Sequence, residues 1–338
     1  MKKCLMKSER NTYIDFLRFV GLSLVVLAHI KAPNILFQIR CFDVPLMVFV
    51  SGLSYSGKVI NPSFRSYYFP RICRLVIPVY LFLLCYFGLF AVIGKPQSCQ
   101  TIFSSFLLIN DGGIGFVWII KVFLLVMLLT PVLLRLSNVL NFYKVFVLCI
   151  LILVVNDIIY LNLIKVIDNN GLKLLFTETM PYLIGYSAIF LVGSKCREIK
   201  KKEDLIALIS LGALWAFYII RFSIQGSSID LQPYKYPPQS YFLLYGLLCS
   251  LLLWKCRNIT FLKNISSSRF VLFVGRNSIW IYLWHIIFVK IANDLIPYWG
   301  GRFVFVYFTS IICFGIQFYL VKILQSRFNW PFLKYLLG

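Results

Sequence analysis

The chain has 338 residues, of which 60% are hydrophobic, and its mean hydropathy is +0.83. Soluble domains are about 45–50% apolar, so this composition excludes an ordinary water-soluble globule and favours lipid as the solvent. Lysine and arginine number 34 against 12 aspartates and glutamates. Because the basic residues form small clusters between long apolar runs, they are typical of cytoplasmic loops rather than of a nucleic-acid-binding surface. The ten cysteines show no C-x-x-C spacing, and we expect no metal.

Apolar stretches long enough to cross about 30 Å of hydrocarbon recur along the chain, separated by proline, glycine and charged clusters. They predict an all-α, polytopic membrane bundle of about ten transmembrane helices, forming a single transmembrane domain over residues 1–338 without a separate soluble domain. The ten segments are 12–31, 42–57, 71–93, 115–134, 142–160, 173–192, 204–221, 240–255, 278–296 and 303–322.

The loop charges predict the orientation of this bundle. With the N-terminus in the cytoplasm, 22 of the 34 basic residues fall in cytoplasmic segments and 9 on the opposite side, and the remaining 3 lie within or at the start of helices. Cytoplasmic loops are the ones enriched in lysine and arginine. We therefore expect both termini to lie in the cytoplasm.

Asp15, Arg18, His29, Lys121 and His285 are ionisable residues that lie within the predicted helices. A charge inside the bilayer costs several kcal/mol, so each of them needs a partner or a water-filled cavity. The chain has two histidines, and both belong to this set.

The first helix concentrates three of these residues on one side. Asp15 and Arg18 are three residues apart, a spacing that predicts an ion pair on one helical face. His29 follows Arg18 by eleven residues, which is three turns and about 16 Å along the axis. The stripe fits either a structural charge pair with a satisfied histidine or a site of proton transfer, for which histidine is suited near neutral pH.

Four sequence patches, taken in order, resemble the acyltransferase 3 family, bacterial membrane proteins that O-acylate carbohydrates. They are the opening helix with Arg18 and His29, DVPLMVFVSGLSYSG at 43–57, FPRICRLVIPVY at 69–80 with Arg71 and Arg74, and GRNSIWIYLWHIIF at 275–288 with His285. The resemblance extends over nearly the whole chain and implies a membrane-bound acyltransferase that uses acyl-CoA.

Arg71 and Arg74 stand at the cytoplasmic start of the third helix, where guanidinium groups can bind phosphates in a bidentate manner. Acyl-CoA is cytoplasmic and carries such phosphates. The alternative is that both arginines only determine the topology, as basic residues in cytoplasmic loops commonly do. The resemblance favours a donor site. Lys121 either helps this donor site or pairs with an acid.

The acceptor hydroxyl needs a base, and His29 is the candidate to take its proton. Arg18 either holds the donor or offsets developing oxyanion charge. His285 is a second proton acceptor or orients the substrate. Asp15 and Asp43 are the orienting candidates, Asp15 toward Arg18 and Asp43, from its depth, toward His29.

The expected function is transfer of an acyl group, with acetyl the expected one, from acetyl-CoA or another acyl-CoA. The resemblance implies a sugar hydroxyl of an envelope or exported polysaccharide, or of its lipid-linked precursor, as acceptor, and the bacterial plasma (inner) membrane as location.

A glycan transporter or flippase suits the buried charges equally well. A non-catalytic anchoring protein leaves them unexplained. The outer loops near 95–114 and 222–239 are long enough to cap a site. The aromatics of PYKYPPQS in the second can stack on a sugar, but an ordinary interfacial loop is the favoured interpretation.

Overall fold

The structure is a computed structural model that describes residues 11–58, 60, 63–328 and 330–337. This part of the chain is all helical and contains no strand, as predicted. Its α-helices are α1 (Thr12–His29), α2 (Asn34–Ile39), α3 (Asp43–Tyr55), α4 (Phe69–Val92), α5 (Cys99–Phe106), α6 (Trp118–Val139), α7 (Phe142–Val166), α8 (Asn170–Lys195), α9 (Lys201–Ile224), α10 (Ser240–Lys255), α11 (Thr260–Ser266), α12 (Arg269–Arg276), α13 (Ser278–Leu295) and α14 (Trp299–Arg327).

Eight stretches of the described chain are long and apolar enough to cross a membrane, and the second of them joins α2 to α3 over Asn34–Tyr55. Two further stretches qualify as bent pairs. The segment containing α10 meets α11 at 96°, and α12 meets α13 at 83°. The predicted polytopic bundle is confirmed, with eight spans, or ten when each bent pair is counted as one.

Helix α3 lies at the centre of the bundle, between α1, α8 and α10. Its contact with α8 is close because two glycines meet there. A methyl group at Gly52 would overlap the carbonyl oxygen of Phe190, and one at Gly193 would overlap that of Phe49. Small residues are what allow membrane helices to approach at backbone distance. Gly52 therefore has a packing role, while its neighbour Ser51 faces a cavity described below.

The outer surface of the bundle is apolar. Large side chains such as Leu151, Ile209 and Ile312 are more than half exposed on α7, α9 and α14. These are the faces that lipid tails would cover, because hydrocarbon is as favourable a neighbour for them as another helix.

The segments predicted to be cytoplasmic meet at one end of the bundle. There the Trp254 indole at the end of α10 donates to the Cys196 carbonyl at the end of α8, over 3.0 Å. The Trp280 indole at the start of α13 donates to the carbonyl of Tyr335 near the C-terminus, over 3.2 Å. Which side of the membrane this end faces stays a prediction from the loop charges.

Candidate active site

The predicted ion pair of the first helix is confirmed. The guanidinium of Arg18 donates to the Asp15 carboxylate over 2.7 Å and to the Ser54 hydroxyl of α3 over 2.8 Å. Asp15 is fully buried and also accepts from the side chain of Arg276 over 3.2 Å. This charged cluster joins the start of α1 to the end of α3 and to α12, so it lies at the predicted cytoplasmic end of the bundle.

The two histidines meet at the other end of α1. Nε2 of the fully buried His285 lies 3.4 Å from Nδ1 of His29, the last residue of α1. The side chain of Asn293, also on α13, donates to the carbonyl of His29 over 3.0 Å. Two residues separated by 256 positions in sequence thus form one pair, because α13 packs along α1.

The hydrogen-bond partners assign the tautomer of both neutral rings. Nδ1 of His29 lies 2.8 Å from the carbonyl oxygen of Val25, and Nδ1 of His285 is bonded to the carbonyl oxygen of Tyr282. A carbonyl oxygen only accepts, so each Nδ1 carries the hydrogen. The single hydrogen on His29 Nδ1 goes to the Val25 carbonyl and can at most be shared with His285 Nε2, 3.4 Å away, and Nε2 of His29 keeps a lone pair. That nitrogen is the position from which His29 can take a proton.

His29 lines a cavity of about 170 Å³, which we call the His29 cavity. Its polar lining comes from four separate parts of the chain, which are the end of α1, the turn before α3, the start of α3 and the loop between α9 and α10. These side chains are His29, Arg40, Asp43, Gln232, Lys235 and Tyr236. The second long outer loop therefore lines a cavity, which is the less favoured of the two interpretations that the sequence left open.

Asp43 is the centre of a buried charge cluster in this cavity. Its carboxylate accepts from Arg40 over 2.7 Å and from the Lys235 ammonium at 3.2 and 3.3 Å. Burial is the largest single effect on Lys235 and disfavours its charged form, but the Asp43 carboxylate together with Tyr236 and Cys41 outweighs burial, so the pKa of Lys235 is raised above its ordinary value. Lys235 therefore stays charged throughout the neutral range. Asp43 shares the cavity with His29, and its bonds go to these two cations; an orienting effect of Asp43 on His29 stays a prediction.

Aromatic rings complete the cavity. The Phe116 ring lies 4.7 Å from that of His29, and Trp118 packs edge-on against Tyr236 with ring centres 5.0 Å apart. Lys235 Nζ lies 5.7 Å from the Trp118 ring centre. Rings of this kind offer apolar faces to a sugar while the charged groups stand beside them. Trp118 thus belongs to the His29 cavity.

Arg71 and Arg74 share a second and larger cavity of about 540 Å³, which we call the Arg71 cavity. Arg71 is held in place, since its Nε donates to the Tyr55 hydroxyl and its Nη1 to the Tyr67 carbonyl, both over 2.8 Å. Its guanidinium also lies 4.0 Å from the centre of the Tyr67 ring. Lys334 from the C-terminal segment lines the same cavity and adds a third cation.

The two cavities follow one another along the same two helices. On α3, Val44 lines the His29 cavity and Val48 lines the Arg71 cavity. On α6, Ile119 lines the His29 cavity and Phe123 lines the Arg71 cavity. Each pair is four residues apart, which is about 6 Å of helix. One helical turn therefore separates the nearest walls of the two cavities.

Lys121 lies apart from the arginines. Its ammonium pairs with Glu178 of α8 and lies 4.5 Å from the centre of the Tyr182 ring. Glu178 also accepts from the backbone N–H of Asn110 over 3.3 Å, so the pair holds the first long outer loop against α8. Of the two roles predicted for Lys121, pairing with an acid is the one seen, and a role at the donor site stays a prediction.

Sequence reasoning missed three cations in these cavities. Arg40 stands three residues before Asp43, the same spacing as that of Asp15 and Arg18, so the sequence contains a signal for this ion pair. Lys235 lies within PYKYPPQS, the loop segment whose aromatics can stack on a sugar. Lys334 had no such signal, because a lysine near a cytoplasmic terminus is common in membrane proteins.

The acyltransferase 3 family model, described as an acyltransferase domain, matches residues 11–324. The chain belongs to the acyltransferase 3 family. No curated protein and no solved structure matches it. This membrane acyltransferase therefore carries the sequence pattern of its family over nearly the whole chain, and the match includes His29, His285, Arg71 and Arg74. Lys334 lies beyond the matched residues.

Proposed function

We propose that this acyltransferase moves an acyl group, expected to be acetyl, from cytoplasmic acyl-CoA to a sugar hydroxyl of an envelope or exported polysaccharide or of its lipid-linked precursor. The bacterial plasma (inner) membrane is the proposed location. The observation that carries the proposal is the succession of the two cavities, with three cations in one and a base in the next.

The Arg71 cavity is the proposed donor site. Arg71, Arg74 and Lys334 together provide positive charge for the phosphates of CoA, and bidentate arginine is well suited to phosphate oxygens. From Tyr55, which is bonded to Arg71, to Val44 in the His29 cavity is eleven residues, about 16 Å of α3. The flexible arm of CoA would run along this stretch and bring the thioester to His29.

The His29 cavity is the proposed reaction centre. Nε2 of His29 takes the proton of the acceptor hydroxyl as its oxygen attacks the thioester carbonyl carbon. The carbon–sulfur bond then breaks, the CoA thiolate leaves, and the proton on His29 passes to its sulfur. The products are the sugar ester and free CoA. In this scheme His285 acts as a positioning residue, because its Nε2 can share the hydrogen that His29 Nδ1 gives to the Val25 carbonyl and so helps keep Nε2 of His29 as the basic nitrogen.

Arg18 has a supporting place in this scheme. It lies three turns from His29 and bonds to Ser54, between the cavity residues Ser51 and Tyr55. Arg18 and its partner Asp15 would hold the α3 wall of the donor site.

Release of CoA tests the proposal. Detergent-purified protein is given acetyl-CoA with and without a glycan acceptor, and free CoA is separated by chromatography, because exposed Cys85 and Cys99 would also react with a thiol reagent. We expect acceptor-dependent CoA release and a glycan that gains one acetyl group by mass spectrometry. CoA release no faster than that of a His29→Ala variant, with every acceptor tried, would refute the proposal.

A further inference from the structure

The His29 cavity holds a surplus of positive charge. Among the described residues that line it, the charged ones are Arg40, Lys235 and Asp43, two cations and one carboxylate. All three are almost completely buried, with exposures of 3%, 2% and 2%. A buried charge that is not matched by an opposite one is costly, and one of the two cations lacks its counterpart within the cluster.

The hydrogen bonds show the same imbalance. Nε of Arg40 is buried and, in the described part of the chain, has no hydrogen-bond acceptor, although the neighbouring Nη1 is bonded to Asp43. Buried donors without a partner are rare in folded proteins, and a water, an ion or a ligand can supply the missing acceptor. The orphan donor and the surplus charge belong to residues that line one cavity, beside the base.

We propose that the His29 cavity binds a monoanionic group of the acceptor glycan, a sugar carboxylate or a phosphodiester, and that Lys235 and Arg40 select acidic glycans over neutral ones. This inference rests on the proposed function, since it names the class of acceptor that would meet His29. One surplus charge is matched by one negative charge. A phosphomonoester brings about −1.5 to −2 at pH 7 and fits less well.

The shape of the site supports an acidic sugar over a free anion. Trp118 and Tyr236 present ring faces and edges beside Lys235, so a pyranose ring can lie on the aromatic side while its acidic group meets the cations. The same placement would bring a hydroxyl of that ring toward Nε2 of His29. Charge recognition would then also orient the reacting hydroxyl.

Direct binding tests the inference without acyl transfer. The purified protein, with no acyl-CoA, is titrated with methyl galactoside, methyl galacturonide and a methyl phosphodiester of galactose, and binding is followed by saturation-transfer NMR. A charge-assisted hydrogen bond predicts that at least one acidic sugar binds about tenfold or more tightly than the neutral one. Comparison of the two acidic probes shows which anion is preferred.

Lys235→Met is the informative variant, because it leaves Arg40 and Asp43 as a neutral pair and so removes only the surplus charge. Lys290→Met is the matched control, since Lys290 is exposed on α13 and lies over Phe90, outside the cavity. Size-exclusion elution of both variants verifies folding, and Lys235→Gln provides a second test if Lys235→Met aggregates. We expect the acidic preference to vanish in the Lys235 variant and to persist in the Lys290 variant.

Equal affinity for neutral and acidic sugars, or an acidic preference that survives loss of Lys235, would overturn the inference. The binding assay and the acyl-transfer assay can fail independently, so each tests one proposal. Acetyl transfer without any acidic preference refutes the inference alone, whereas an acidic preference without CoA release refutes acyl transfer and leaves the anion site standing.

Discussion

Replacement of His29 by alanine is the sharpest test of the reaction centre. The variant removes the single nitrogen, Nε2, that the hydrogen bonds leave as a basic position in the histidine pair. General base catalysis contributes about 10²–10⁴-fold in rate. At about 1.36 kcal/mol for each factor of ten, His29→Ala should raise the barrier by about 3 to 5 kcal/mol. The predicted loss is therefore in kcat.

The same variant should bind acyl-CoA normally. The proposed phosphate anchors line the Arg71 cavity, one helical turn beyond the His29 cavity, so truncation of His29 leaves them intact. The KM for acetyl-CoA should stay within about threefold of the parent, well under the tenfold that 1.36 kcal/mol represents. Steady-state CoA release over a range of acetyl-CoA concentrations measures both constants.

His285 supplies the matched control for this prediction. His285→Gln keeps an acceptor near the position of Nε2 and should retain most of the rate, whereas His285→Leu removes the side-chain acceptor that His29 Nδ1 has beside the Val25 carbonyl and should lower kcat. Rescue by glutamine distinguishes a positioning role from a merely structural one. Activity of His29→Ala close to that of the parent, in protein that elutes as a folded species, would refute the assignment of His29 as the base.

Further predictions concern the donor site and the helix packing. Arg74→Ala and Lys334→Gln should each raise the KM for acetyl-CoA about tenfold or more, since a charge-assisted hydrogen bond contributes about 1.5–3 kcal/mol. Arg65→Ala, at an exposed position outside the cavity, should leave KM unchanged, and equal KM values in all three variants would return these residues to a topological role. Gly52→Val should destabilise the bundle by about 1–3 kcal/mol through overlap with the α8 backbone, seen as a lower Tm in detergent. Gly88→Ala is its control, because a methyl group there meets open space, and equal Tm values would contradict the packing role.

Local sequence was sufficient to predict the membrane-spanning helices and the polar face of α1. A segment of about twenty apolar residues has few alternatives to a membrane helix, because its backbone groups must bond within the segment when lipid is the solvent. The spacing of Asp15 and Arg18 likewise requires them to share a face of α1, and the ion pair follows from helical geometry alone. The predicted runs 240–255 and 278–296 coincide closely with α10 and α13, but the short helices α11 and α12 that meet them at sharp bends were not predicted.

The two cavities depended on the tertiary structure. Helical periodicity determines which side chains share one face, but it does not determine which other helix that face meets. The contact of His29 with His285 depends on the packing of α13 along α1, and the cluster of Asp43 with Lys235 joins residues 192 positions apart. The sequence by itself determined a helical membrane protein with a polar first helix and a candidate base. Only the packing of helices and loops decided that this base faces a surplus of buried charge, in a cavity whose wall lies one helical turn from that of the Arg71 cavity. Side-chain contacts between distant segments depend on the tilt and rotation that close packing imposes.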